Sequence, residues 1–123
     1  MNNPEVKVII AGSRGFQDYE LLRDSCDHKL SEVSKTHSVV IISGGARGAD
    51  TLAKDYAEDR NYALVVMEAD WETHGKSAGY KRNQEMANNA THLIAFWDGQ
   101  SRGTKHMIDI AKKADLPTYV VNY

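Results

Sequence analysis

Five short Val- and Ile-rich runs set what this chain can fold into: Val6–Ala11 (VKVIIA), Val39–Ile42 (VVII), Ala63–Met67 (ALVVM), His92–Phe96 (HLIAF) and Thr118–Val121 (TYVV). They are nearly continuous rather than alternating, the pattern of strands buried on both faces of a parallel sheet. Between them lie stripes of helical period. Ala49, Leu52, Ala53, Tyr56 and Ala57 recur at i, i+3, i+4, i+7 and i+8, and Met107, Ile110, Ala111 and Ala114 repeat that spacing. Tyr19, Leu22, Cys26, Leu30 and Val33 mark a helix before the second strand. Gly79, Asn83, Met86, Ala87 and Ala90 mark a shorter one before the fourth. Strand and helix thus alternate, which predicts an α/β fold: one doubly wound parallel sheet of five strands with helices on both faces. With 123 residues and no linker or repeat, residues 1–123 read as a single domain. Glu68–Ser77 is the one long irregular stretch.

Composition excludes several classes. Fifteen Lys and Arg against seventeen Asp and Glu give a net charge of −2. No basic stripe shows, which argues against a nucleic acid as partner. The single cysteine, Cys26, rules out a disulfide framework and any zinc site built on two thiolates. No apolar run approaches the ~20 residues of a membrane span, so no membrane is expected as partner. Met1–Glu5 carries no basic or apolar leader. These features predict a cytoplasmic protein.

In an open parallel sheet, ligands bind at the carboxyl ends of the strands. The loops at that edge are Gly12–Gly15, Ser43–Asp50, Asp70–Asn83 and Trp97–Thr104. Of nine glycines, all but Gly75 and Gly79 fall in the first, second and fourth of these, where close backbone approach to a ligand requires them. The second loop, Ser43-Gly44-Gly45-Ala46-Arg47-Gly48, runs from a strand into a helix. Free N–H groups at a helix start, with Arg47 beside them, suit a phosphate. A plain tight turn with Arg47 in water is the simpler alternative. The expected anion site joins Gly44, Gly45, Arg47 and Gly48 with Ser13 and Arg14 across the cleft.

Familiar catalytic motifs are absent. No loop holds G-x-G-x-x-G, and Gly75-Lys76-Ser77 lacks both the upstream glycine and the strand of a Walker A loop. Ala11-Gly12-Ser13-Arg14-Gly15 is near a nucleophile elbow, but Ser13 sits on the first strand, and Asp98 and His106 are too close in sequence to complete a hydrolase triad. Ser13 reads instead as a hydroxyl that bonds phosphate or caps the next turn. The five histidines form no H-x-x-x-H pair, so no metal is expected; His74 and His106 lie near the cleft. Trp71 and Trp97 each stand past a strand end, one as a base-stacking face or both as cleft wall. Asp50 reads as a carboxylate that complements the helix dipole or braces its loop. Arg82 faces the cleft, bonding a phosphate or bracing Asp50, with Asn83 beside it.

Gly12–Arg14, S-G-G-A-R-G-A-D at Ser43–Asp50, Asp70-Trp71, G-K-x-A-G at Gly75–Gly79, Arg82-Asn83 and G-T-K-H-M at Gly103–Met107 follow one another in order. In this combination, over nearly the whole chain, the sequence resembles the YspA/YpsA-related group of the SLOG superfamily. The LOG lysine-decarboxylase-like proteins and DprA are relatives in that superfamily. The resemblance implies a Rossmann-like sheet, a nucleotide or nucleotide-derived ligand in the cleft, and a homo-oligomer. Independently of the resemblance, Gly103 and Thr104 are expected to open the last long helix with their N–H groups and the Thr104 hydroxyl aimed at the same anion as the second loop, Ser43 included. LOG enzymes cleave N6-substituted adenosine monophosphates with a Glu three residues after the G-T pair. Met107 stands at that position, and Asp109 would point roughly 200° away on a helix, so that mechanism does not carry over. The resulting expectation is a nucleotide-binding sensor or sequestering protein, with no cofactor required and its catalytic residues unknown. The alternatives are a nucleotide-processing enzyme using another carboxylate (Asp50, Asp70 or Glu68) and a partner-binding module using the fold alone.

Overall fold

The computed structural model describes residues 4–123; of the N-terminal segment read for a leader, Met1–Asn3 lie outside the described residues. The five runs form β1 (Glu5–Gly12), β2 (Ser38–Ser43), β3 (Ala63–Val66), β4 (His92–Trp97) and β5 (Thr118–Asn122). All pairings are parallel, in the order β3-β2-β1-β4-β5. The helices are α1 (Tyr19–Leu30), α2 (Ala49–Arg60), the short α3 (Trp71–His74), α4 (Ala78–Asn88) and α5 (Arg102–Lys113). The expected doubly wound α/β fold is therefore the fold observed.

Alternation along each strand sorts the core into two layers. Val8 and Ile10 of β1, Ile41 of β2 and Phe96 of β4 pack with Leu22, Cys26, Ala53 and Tyr56 of α1 and α2. On the opposite face, Ile9, Ile42 and Leu93 pack with Met86 of α4 and with Met107 and Ala111 of α5. Phe16 closes the first layer, stacked on Phe96 at 5.0 Å between ring centroids. The central strands are buried on both faces, as read. The edges are not: Val65 is 40% and Val66 47% exposed, and β5 is half-buried for most of its length. The core of α4 and α5 is built on β1, β2 and β4, so the outer strand β3 is left open on that face. Glu68–Ser77 is likewise less irregular than its sequence suggests. Asp70 caps α3 by accepting from the Thr73 N–H at 3.1 Å, and Gly75–Ser77 continues as a single 3₁₀ turn into α4.

One polar cluster ties the α1–α2 layer. Tyr56 is fully buried, and its hydroxyl donates to Asp27 Oδ1 at 2.7 Å. Arg60 grips the same carboxylate through Nε and Nη2 at 3.0 and 2.7 Å. The Arg60 hydrogen bonds hold the Asp27 pKa below its ordinary 3.8, with Tyr56 contributing. A folded-state pKa below the unfolded value means stability that is present above the carboxylate range and lost as pH falls through the depressed value. Urea unfolding of the wild type is thus expected to weaken progressively below about pH 4. In Asp27→Ala that part of the pH dependence should disappear. The orphaned Tyr56 hydroxyl should cost about 1–2 kcal/mol at neutral pH, since the Arg60 side is partly screened by water.

The strand order reverses between β1 and β4. From β1 the chain moves outward through β2 to β3, then returns to β4 and leaves on the other side. A crevice at the carboxyl ends of β1 and β4 follows from that reversal.

Candidate functional site

A cleft of about 500 Å³ opens at this switch point, within the range of small-molecule sites. Nine of the residues singled out from sequence line it: Gly12, Ser13 and Arg14 after β1, Asp50 on α2, Trp71 on α3, Arg82 and Asn83 on α4, and Gly103 and Thr104 on α5. Gly12 lets the loop after β1 lie flat on its neighbours. A Cβ there would fall 2.7 Å from both the Ala49 Cβ and the Phe96 carbonyl.

The remaining five, Ser43, Gly44, Gly45, Arg47 and Gly48, lie outside the lining. Their loop bonds to itself. Gly45 N–H donates to Ser43 Oγ at 3.2 Å, and Ala46 N–H to Asp50 Oδ2 at 3.0 Å. Ser43 Oγ donates to the Asp50 carbonyl at 3.1 Å, and Ala49 N–H reaches the Ser13 carbonyl at 3.4 Å. Two of the loop's backbone donors, Gly45 N–H and Ala46 N–H, are thus turned onto side chains of the loop itself, the second onto the Asp50 carboxylate. Asp50 is thus a loop brace, one of the roles read for it.

At the start of α5 one backbone donor is engaged by a capping side chain. Ser101 caps the helix, accepting from Thr104 N–H at 3.4 Å, and its Oγ lies 3.1 Å from Thr104 Oγ1. Thr104 is only 4% exposed. Asp98 Oδ1 accepts from the N–H groups of Gln100 and Ser101 at 2.9 and 2.8 Å. Ser13 does not cap the next turn; Asp18 does, accepting from Leu21 N–H at 3.0 Å.

The cations remain available. Arg14 and Lys76 are exposed at the cleft wall, and Arg82 is half-buried deeper within it. Arg82 Nη1 donates to the Gly44 carbonyl at 2.5 Å, and Nε to Asn83 Oδ1 at 3.1 Å. Asn83 Nδ2 in turn donates to the Gly103 carbonyl at 3.2 Å and lies 3.1 Å from His106 Nδ1. This chain of contacts fastens α4 to the second loop and to α5. Burial pushes the Arg82 pKa down, and the Asp50 charge opposes that shift. Burial pushes the Asp50 carboxyl up, against the Ala46 N–H and the charges of Arg82 and Arg14. Asp98 is shifted the other way, held low by the Ser101 and Gln100 N–H groups.

Aromatic faces complete the cleft. Trp71 is 53% and Tyr80 48% exposed, and both line it. Trp97 does not line the cleft: its Nε1 donates to the Ser101 carbonyl at 3.1 Å and its ring packs against the α4–α5 layer. His106 stacks edge-on against Tyr80 at 4.4 Å between centroids; His74 lies 3.4 Å from Lys81 Nζ. Tyr80, Lys76 and Asp98 line the cleft but were not among the residues chosen from sequence. Only their place on the loops at the strand ends marked them. Met107, at the position of the LOG glutamate, is 1% exposed and packed in the core with Ile9 and Met86. Among the described residues no group of three metal-ligating side chains converges, and no helix is long and apolar enough to cross a membrane.

Known proteins share this architecture. Gene 61 protein of Mycobacterium phage D29 is 38% identical over 123 residues, covering 95% of each chain. DNA processing protein A from Helicobacter pylori, described with a single-stranded DNA binding mode, superposes with a TM-score of 0.70 at 20% identity. That match covers 96% of this chain but 65% of the other, so the chain spans less than two thirds of that protein. The X-ray structure of TM1055 gives a TM-score of 0.68 at 20% identity over 92% of this chain and 72% of that one. At such identity the two structures speak to the fold. The YspA, cpYpsA-related SLOG family matches residues 6–74, over the strands and loops that hold the S-G-G-A-R-G-A-D segment. With that match and the near full-length likeness to the phage protein, the chain belongs to the YspA, cpYpsA-related SLOG family.

Proposed function

We propose that the cleft binds a nucleotide-derived ligand and that the protein acts as a sensor or sequestering protein for it. The observation that carries this reading is the composition of the wall: Arg14, Lys76 and Arg82 share one cleft with the uncovered rings of Trp71 and Tyr80. Cations take a phosphate, and an aromatic face takes a base at about 1–3 kcal/mol per stacked ring.

A second reading, in which the bound nucleotide is processed, is favoured by one observation. Two carboxylates of the cleft are pushed in opposite directions, Asp50 up by burial and Asp98 down by backbone N–H groups. Such pairs suit acid–base work. Of the other carboxylates considered, Asp70 is committed to capping α3, and neither it nor Glu68 lines the cleft. The LOG glutamate is replaced by the buried Met107, which removes the usual group at the sugar.

Calorimetry with a panel of nucleoside mono- and diphosphates, paired with chromatography of the mixtures, separates the readings. The expected result is a Kd at or below the micromolar range, about −8 kcal/mol, quenching of Trp71 fluorescence, and no free base or phosphate. Product formed at enzymatic rates and lost in Asp50→Asn would establish processing. Absence of binding across the panel would remove both readings.

A further inference from the structure

We propose that His106 is a positioning residue for the cleft: as a neutral imidazole it holds the Asn83 carboxamide, and through it the Arg82 guanidinium, in the arrangement that receives an anionic ligand, and its protonation releases that hold. The inference deepens the nucleotide reading and rests on it. His106 itself lies outside the cleft lining, whereas Arg82 and Asn83 belong to it.

The polarity of this chain of contacts is fixed from the Arg82 end. An arginine side chain only donates, so Asn83 Oδ1, 3.1 Å from Arg82 Nε, is the acceptor there. The other end of the amide, Nδ2, meets the Gly103 carbonyl at 3.2 Å, which only accepts. A flipped carboxamide would set two donors together at Arg82 and two acceptors together at Gly103. The second N–H of Nδ2 remains for His106 Nδ1, 3.1 Å away. That nitrogen must accept, which puts the imidazole proton on Nε2 and leaves the ring neutral. An imidazolium carries N–H on both nitrogens and would turn one of them onto the Asn83 N–H. The amide cannot rotate to meet it without losing both of its other bonds. Asn83 is only 5% exposed, so an unmatched N–H there is costly. Relief requires Asn83 to swing away, and Arg82 then keeps only its bond to the Gly44 carbonyl.

The surroundings favour the neutral ring. Burial pushes the His106 pKa below its ordinary 6.5, and the Asp109 carboxylate opposes that shift. Lys105 engages Asp109 Oδ2 at 2.9 Å, and Arg102 stands one turn before His106 on the same helix. From α4 the facing groups are Tyr80, edge-on at 4.4 Å between centroids, then Asn83 with Arg82 behind it. The strands beneath α5 present apolar Ile9, Leu93 and Ala95. A histidine pKa lowered by folding means a contribution present above about 6.5 and lost as pH falls toward the folded-state value.

Calorimetric affinity for adenosine 5′-monophosphate at about pH 7.5 and about pH 5.5, on either side of the ordinary histidine value, tests this on the intact chain. His106→Asn places an amide oxygen near the position of Nδ1 and takes no proton, so it should match the wild type at the higher pH. On acidification the wild type should lose roughly 5- to 10-fold more affinity than His106→Asn, the effect of one hydrogen bond. Comparing the two proteins cancels the second ionisation of the phosphate itself. His106→Ala should bind poorly at both pH values, and thermal melting confirms that both variants are folded. The NMR signal of Arg82 Nε–H supplies a readout without ligand: it should follow the His106 titration in the wild type and stay constant in His106→Asn. A role confined to packing against Tyr80 would leave His106→Asn as poor as His106→Ala. That outcome, or equal pH dependence in wild type and His106→Asn, would overturn the proposal and leave nucleotide binding intact. Failure of the nucleotide to bind any of these proteins would overturn the nucleotide reading, and the Arg82 signal alone would then decide whether His106 holds the guanidinium.

Discussion

Gly48→Ala is expected to destabilise the protein by about 3–5 kcal/mol, a large part of the ~5–15 kcal/mol that holds a domain of this kind together. Gly48 is the N-cap of α2, at φ 74° and ψ −126°, a conformation that L side chains rarely adopt. The space is also closed. A Cβ there would lie 2.5 Å from the Arg14 carbonyl oxygen and 2.6 Å from its carbon. These are backbone atoms, so no rotamer change relieves the contact. Relief requires the first loop to lift away from the second, which also breaks the Ala49 N–H bond to the Ser13 carbonyl. Gly99→Ala supplies the control. It has φ 83° but nothing within 4 Å of a Cβ, so it should cost about 1–2 kcal/mol of backbone strain alone. Chemical denaturation with equal m-values compares the two. A Gly48→Ala loss no larger than that of Gly99→Ala would show that the junction between the loops is soft.

That junction marks what the sequence discloses and what it withholds. Strand runs and helix stripes are legible because burial imposes periods of 2 and 3.6 on side chains. The second loop shows the limit. Its glycines and helix start have the composition of an anion site; Asp50 was legible as a possible brace of the loop, but not that Ala46 N–H is the donor it takes. Whether a donor is free depends on a side-chain rotamer and on packing from Arg82, which is 38 residues away in the chain and donates to the Gly44 carbonyl. The exposure of Val65 and Val66 was hidden for a similar reason. A Val-rich run reads alike in a central and an edge strand, and only strand order distinguishes them. Arg82 and Asn83 were legible as cleft residues because they follow the long third loop; the structure places them one turn inside α4 rather than at its start. Asp98 was weighed only as the acid of a hydrolase triad with Ser13 and His106, and was set aside because it stands too close to His106 in sequence.

Arg82→Ala should give the largest functional change, a loss of nucleotide affinity of about 2–4 kcal/mol together with about 2–3 kcal/mol of stability. The guanidinium bridges the Gly44 carbonyl and Asn83 Oδ1, and its charge is one of the influences that keep the buried Asp50 from shifting further. Its removal leaves two acceptors unpaired and a buried carboxylate with less compensation. Arg82→Lys keeps the charge but cannot span both acceptors, so it should recover part of the affinity and little of the stability. The pH dependence gives the decisive readout. Asp50 has a folded-state pKa raised above the ordinary 3.8, chiefly by burial. A raised carboxyl pKa means that the folded state binds the proton more tightly, so its contribution is favourable at low pH and lost as pH rises through the folded value. Without Arg82 that window should extend to higher pH and the loss within it should grow. Asp50→Asn should abolish the loss in both backgrounds. Stability curves from pH 4 to 8 that are parallel for wild type and Arg82→Ala would show that the two charges are not coupled, and that Arg82 serves the cleft only as a brace for the second loop.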